Sequence, residues 1–563
     1  MKKRFLLLSL LFAMAFFIAA PAAQAAKQFQ VYATVTDTFE QVDGEKHPAA
    51  IRWWYSSKAK AYHLFLPSSS KTLYLWFEGA DSVTVNGKTM NHGDEAAFLL
   101  SGETFTLNAG KKAYDIKVMR SANVPAMFMT TQSGSMDYIH RRKENQETGT
   151  LYMVDGSGST LYDGKLAQIK GRGNATFVLN KKPYQIKLDK GTDLCGMGKA
   201  KTWILLADYR DNSLLRNKVA FDLARSVGLA YTSLSQTVDV YLNNDYMGAY
   251  LLCEKVETGE TRINITDLEK ETEAVNDLEL DAYKRFGSSK YKSATQKGFD
   301  IPNDPEDITG GYLLELDYKM RYSNEPSGFV TQKGQAVVLK EPEAASKKQV
   351  EYISTFFQGF ENAIRSESGI DPVSGKHYSE FVDMDSLVKK YLLEEIVKNR
   401  DANRSSLYFY KPADSDSQVA FMGPAWDYDA SQGNHAAREG DKVVLPEHFI
   451  VNRDSGESFY VFPALYKHAD FQKAIIAAYH EAFVPALNVL LGHEQDQTGT
   501  LKSLQEYANE IMDCAAMNFV RWPVFNSESR LVKTGANYQE NIDYLVTFFE
   551  RRMAYLHGQW PGP

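Results

Sequence analysis

Between Leu166 and Cys253 the chain sets out its elements in an order that few topologies accommodate. A strand-like Leu166-Ala-Gln-Ile-Lys170 runs into Gly171-Arg-Gly-Asn-Ala-Thr176, and a second strand, Tyr184-Gln-Ile-Lys-Leu188, follows the turn at Lys181-Lys182-Pro183. Two strands therefore flank a glycine-containing loop. Asp211-Asn-Ser213 then offers helix caps ahead of Leu215, Val219, Leu223 and Val227, whose four-residue spacing lines one face until Gly228 ends the helix. Stretches 237–242 and 247–253 surround Asn243-Asn244-Asp245, a hairpin signal, and lead into Glu254-Lys255-Val256.

Upstream, residues 27–120 hold short alternating stretches between turns such as Asn86-Gly87, which predicts a small all-β, sandwich-like domain. Its Trp53-Trp54-Tyr55 run could form a sugar-binding face, but strand aromatics are more often packed between sheets. Downstream, residues 258–309 turn polar with few apolar anchors and read as an insertion or surface loop without assigned structure. Helical spacing returns at 347–365 and 385–398, and 459–557 reads as mostly helical.

Residues 1–26 begin with Lys2-Lys3-Arg4, continue as an apolar run from Phe5 to Ala20 broken by Ser9, and end in Ala23-Gln24-Ala25. This is the pattern of a secretory signal peptide, and it predicts a secreted or cell-surface protein. No second run approaches a membrane span, so none is expected once the signal is removed. Taking the three basic residues of that segment from the 63 Lys and Arg leaves 60 against 71 acidic residues, a charge of −11. With its basic residues scattered, such a chain is a poor candidate for nucleic-acid binding. Three cysteines, Cys195, Cys253 and Cys514, with no CxxC pair and no two close in sequence, argue against a cysteine metal cluster, so a metal should be oxygen-bound.

The chemistry gathers downstream. Leu387 with Tyr391, Val388 with Leu392 and Leu392 with Ile396 fix the buried face of a helix ending near Asn399, which sets Asp401 just beyond it. Strands at 407–410 and 419–422 then form a hairpin that returns Asp427 and Asp429 toward Asp401, 26 residues after it. Helix, loop aspartate, hairpin and second aspartate suit phosphoryl transfer, where one carboxylate orients a hydroxyl and another holds Mg²⁺ on the phosphates. The bland alternative is a turn-capping Asp401 with solvated Asp427 and Asp429. The upstream half changes that balance, because strand, glycine loop, lysine strand, helix and two strands follow the order of a protein-kinase-like fold. In that arrangement Lys187 would reach the nucleotide phosphates and backbone near Glu254 and Val256 would meet the adenine; a plain surface lysine is the alternative for Lys187.

Several motifs in order carry a family resemblance: Lys170-Gly-Arg-Gly-Asn174 with Thr176, Lys181-Lys-Pro-Tyr-Gln-Ile-Lys-Leu188, Leu215-Arg-Asn217, and Val240-Tyr-Leu-Asn243 with Tyr246, Gly248 and Tyr250. Gly310-Gly-Tyr-Leu-Leu-Glu315, Lys398-Asn399-x-Asp401 and Gly423-Pro-x-Trp-Asp-Tyr-Asp429 complete the set. Over residues 125–560 the chain resembles the spore coat protein H (CotH) kinase family.

The resemblance implies an α+β fold with an atypical, two-lobed kinase-like domain behind the β-sandwich. It also implies transfer of the ATP γ-phosphate, with Mg²⁺ or Mn²⁺, to accessible serines of a protein substrate. By similarity Asp401 is the catalytic aspartate and Asp427 the metal ligand, with Asp429 competing for that role. Arg172, Asn174 and Lys187 fall on the nucleotide side. Two departures stand out: Asn399-Arg400-Asp401 replaces the HRD triplet of ordinary kinases, and Ser406 holds the position of a second metal ligand. The helix at 214–227 offers Lys187 no glutamate, only Asp222.

Two other classes compete. A silent kinase-like module could bind a cell-surface partner through the β-domain or the 258–309 insertion. A hydrolase could use Asp427 and Asp429, or a serine in Gly156-Ser-Gly-Ser159, though the latter lacks the G-x-S-x-G pattern.

Overall fold

Alternating apolar residues close seven strands into a barrel, in the order Ala126–Thr131, Gln146–Val154, Thr160–Gly171, Tyr184–Asp193, Lys199–Leu206, Asp245–Glu254 and Ser235–Leu242. Closure is parallel, Ala126 to Met129 against Asp239 to Leu242. The coordinates are a computed structural model that describes residues 29–34, 49–402, 404–435, 444–452, 461–525 and 535–562. The expected signal peptide at 1–26 lies outside them. Met127, Leu151, Ile169, Ile186, Trp203 and Val240 fill the barrel, and period-two alternation leaves Gln185 and Lys187 on its outer face. The predicted helix forms as Arg216–Ser226, with Val219, Ala220, Phe221 and Leu223 buried.

Beyond the barrel lies a seven-stranded antiparallel sheet. Its order is Arg285–Gly287, Thr295–Phe299, Gly328–Val330, Ala336–Glu341, Tyr312–Leu316, Leu407–Lys411 and Phe421–Met422. Lys347–Arg365 packs on it, started by a capping box between Ser346 and Gln349. Met384–Ile396 follows, capped by Asp383, which accepts the Ser386 N–H at 2.7 Å.

The polar stretch 258–309 is not the structureless insertion its composition suggested. Helix Leu268–Ala274 starts on Asp267, and Thr295–Phe299 pairs with Gly328–Val330 inside the sheet. Sparse but fully buried anchors, Leu268, Leu280 and Phe299, hold it down. Among the described residues no helix is long and apolar enough to cross a membrane, and the three cysteines are free.

The N-terminal β-region has two sheets, one of four strands and one of six. Their core of Leu64, Phe65, Leu75, Phe77 and Leu107 does not stop at residue 120 but continues into Phe128, Tyr241, Tyr246 and Met517. Tyr241 donates its hydroxyl to Phe65 O at 3.0 Å, and Arg52 grips Asp245 through two bonds of 2.8 and 2.7 Å. Trp53 is 6% exposed and stacks on Tyr62 at 3.9 Å, so it packs rather than presents a face. Gly156-Ser-Gly-Ser159 is a turn closed on Asp155, which accepts the N–H groups of Ser157 and Ser159.

Candidate active site

A cleft of about 610 Å³ opens between the barrel and the second sheet, and Asp401, Ser406, Asp427 and Asp429 all face it. Asp401 stands in the loop that leaves Met384–Ile396, where Lys398 turns the backbone through φ 49°. The loop is tied at both ends: Asp401 N–H donates to Asn399 Oδ1 at 3.1 Å, and the Asp401 carbonyl accepts from Arg404 N–H at 2.8 Å. Asn399 Nδ2 reaches Asp427 O at 3.4 Å, which joins this loop to the acidic one. Burial, then the charge of Asp427, pushes the Asp401 carboxyl above its ordinary range, with Arg400 and Arg404 opposing.

The acidic loop hangs from Tyr428, which is fully buried between two cleft-facing aspartates. Its hydroxyl donates to Glu394 Oε1 at 2.7 Å and accepts from Lys390 Nζ at 2.9 Å, inside a buried lysine–glutamate pair. Asp427 takes φ 68°, a left-handed conformation that aspartate tolerates better than most residues. Ser406 donates to Asp427 Oδ2 at 3.2 Å, so the two expected metal oxygens are adjacent. Its enclosed position raises the Asp429 carboxyl well above the usual range, followed by repulsion from Asp427, Asp401 and Asp208.

On the barrel side Arg172, Asn174 and Val256 reach the cleft. The Arg172 guanidinium lies 5.4 Å over the ring of Trp426, and Asn174 accepts from Lys143 Nζ at 2.6 Å. Lys187 does not join them. It is exposed on the outer face of its strand, and its neighbours Gln185 and Lys181 line the cleft instead. Glu254 is also turned away: its carboxylate pairs with Arg262 and accepts the Leu234 N–H at 2.7 Å, while its own N–H is taken by Leu234 O. Asp222 binds Lys218 at 2.9 Å and the Tyr507 hydroxyl at 2.7 Å, so it does not serve Lys187 either.

Sequence reasoning passed over Lys181, Asp208 and Asn217. Lys181 is buried, with Nζ donating to Ala207 O at 2.7 Å, Ala249 O and Asn518 Oδ1 at 2.9 Å. Three acceptors surround Nζ, which makes Lys181 a structural residue at the cleft floor. Burial pulls its pKa down, and burial together with Asp211 pushes Asp208 up. Asp208 accepts from Asn217 Nδ2 at 2.9 Å. The signal for Asn217 was its place in Leu215-Arg-Asn217; for Asp208 it was an acid directly after an apolar strand end.

The profile described as CotH kinase protein matches residues 169–556, more than half of the chain. The chain belongs to the CotH kinase family. No curated protein matches it. The CotH kinase match spans the loop of Arg172, the Asn217 helix and both acidic loops, so the motifs quoted above and all of the cleft lining except Lys143 lie within it. A kinase of this family is expected to use ATP and a divalent metal. The donor set suits Mg²⁺: hard carboxylate and hydroxyl oxygens stand together, and their mutual repulsion leaves negative charge to be neutralised. Among the described residues no three acidic, histidine or cysteine side chains form a ready metal cage. Mg²⁺ usually needs none, being held by one or two carboxylates together with substrate phosphates.

Proposed function

We propose that this protein is an exported atypical kinase that transfers the γ-phosphate of ATP to serine in a protein substrate. The observation that carries the reading is the convergence of Asp401, Ser406, Asp427 and Asp429, from two loops, opposite Arg172 in one cleft of a CotH kinase family member. Export rests on the signal-like segment at residues 1–26.

Asp427 would hold the metal, with Asp429 and Ser406 beside it; a bound divalent cation supplies neutralisation of the phosphate charge. Asp401 would accept a hydrogen bond from the serine hydroxyl and take its proton as the oxygen attacks the γ-phosphorus and the bond to the departing ADP breaks. A carboxyl whose pKa is raised by burial is the better proton acceptor for that task. Arg172, seated over the face of Trp426, would offer a planar guanidinium to phosphate oxygens.

The test is transfer of labelled phosphate from ATP, with Mg²⁺ or Mn²⁺, to the protein itself and to a serine-rich basic protein. Asp401→Ala and Asp427→Ala should each lower transfer by about a hundredfold or more. Wild-type transfer that survives both changes would overturn the reading. No transfer by the wild type, with no ATP-induced rise in melting temperature, would favour a silent binding module.

A further inference from the structure

The side-chain amide of Asn217 joins the two walls of the cleft. Its Nδ2 donates to Asp208 Oδ1 at 2.9 Å on the barrel side, and its Oδ1 accepts the Tyr428 backbone N–H at 2.8 Å, between Asp427 and Asp429. The backbone N–H can only donate, so the amide turns its oxygen to Tyr428 and its Nδ2 to Asp208. Asn217 is 3% exposed, and water cannot readily take over either bond.

Neighbouring contacts come from the same helix. Arg216, ion-paired with Asp211, donates to Gln432 O at 3.3 Å, and Gln432 Nε2 returns a bond to Arg216 O at 3.0 Å. Phe221 stacks on Trp426 with centroids 5.7 Å apart. The helix Arg216–Ser226 therefore holds the acidic loop at Trp426, Tyr428 and Gln432, with Asn217 the central grip.

The loop needs such a grip. Asp427 is held in a left-handed backbone conformation, and three carboxyl groups, Asp401, Asp427 and Asp429, crowd the same cleft. The Tyr428 hydroxyl anchors the side chain, whereas Asn217 fixes the backbone that carries both carboxylates. We infer that Asn217 is a positioning residue that sets Asp427 and Asp429 against the barrel wall, with Asp208 as the acceptor that orients it. Its effect on phosphate transfer rests on the kinase reading above; its hold on the loop does not.

Three variants test it: Asn217→Ala, Asn217→Asp, and the exchange Asp208→Asn with Asn217→Asp. In the exchanged pair Asn donates from position 208 to the new carboxylate, whose second oxygen still accepts the Tyr428 N–H. Asn217→Ala should speed hydrogen exchange of the peptide at 426–432 in the metal-free protein, weaken Mn²⁺ binding, and lower kcat about tenfold to a hundredfold with a smaller effect on KM for ATP. Asn217→Asp alone sets two carboxylates together and should be as poor, and the exchanged pair should recover to within about threefold of wild type.

Unchanged exchange at 426–432 in Asn217→Ala overturns the inference, as does faster exchange with unaltered Mn²⁺ affinity. An exchanged pair no better than Asn217→Asp does the same. If the wild type moves no phosphate, the kinase reading falls while the exchange and Mn²⁺ measurements still decide the role of Asn217.

Discussion

Lys187 and Gln185 share the outward face of one strand, yet only Gln185 reaches the cleft. Period-two alternation sets the lysine on the outer face of the barrel, but it does not say where along the strand the cleft ends. Arg172 is one of the guanidinium groups that line the cleft with Asp427, and it is seated on Trp426. Arg172→Ala should therefore raise KM for ATP by about tenfold, the loss of one charge-assisted phosphate contact, with a smaller change in kcat. Lys187→Ala should leave both constants within about twofold, as for an exposed side chain far from the chemistry. Steady-state transfer kinetics separate the two, and equal losses in both variants would return Lys187 to the nucleotide. Asp401, Asp427 and Asp429 were legible because helix spacing and a hairpin fix their chain positions. Lys181 and Asp208 were not, because their roles depend on which carbonyls and acids the closed barrel brings to them.

Elements marked by strong periodicity formed where the sequence put them. Lys347–Arg365 matches its predicted span, and Leu407–Lys411 pairs with Phe421–Met422 as the expected hairpin. Residues 258–309 show the opposite case. Their strands are three to five residues long, too short for alternation to register, and their order comes from pairing with strands distant in sequence. Phe299, 1% exposed, ends the strand Thr295–Phe299, and its N–H donates to Ala345 O at 2.9 Å just before the start of Lys347–Arg365. Phe299→Ala should cost about 3–5 kcal/mol in urea unfolding. A cost under about 1 kcal/mol is what a surface loop would give, and it would show that this stretch contributes little to the sheet.

At the scale of the whole molecule, the N-terminal β-region and the barrel share one apolar core. Composition and turn spacing distinguish two modules at residues 120 to 125, but they do not reveal that Phe128, Tyr241 and Tyr246 of the barrel pack among the residues of the first. The barrel's hairpin at Leu242 and Asp245 is clasped by Arg52, whose N–H groups hold the Asp245 carboxylate and the Asn244 carbonyl. The strand that carries Tyr246 also supplies Ala249 O to Lys181 at the cleft floor, so this contact lies one short stretch of strand away from the site. Deleting residues 27–120 should expose those aromatic side chains, lower the melting temperature by on the order of 10 °C, and raise binding of a hydrophobic dye. The intact protein should melt in a transition that takes both regions together, because barrel residues complete the core of the β-region. Two separate transitions by calorimetry, with the truncated chain melting where the second one did, would mean that the β-region is an appended module and its contact with the barrel is weak.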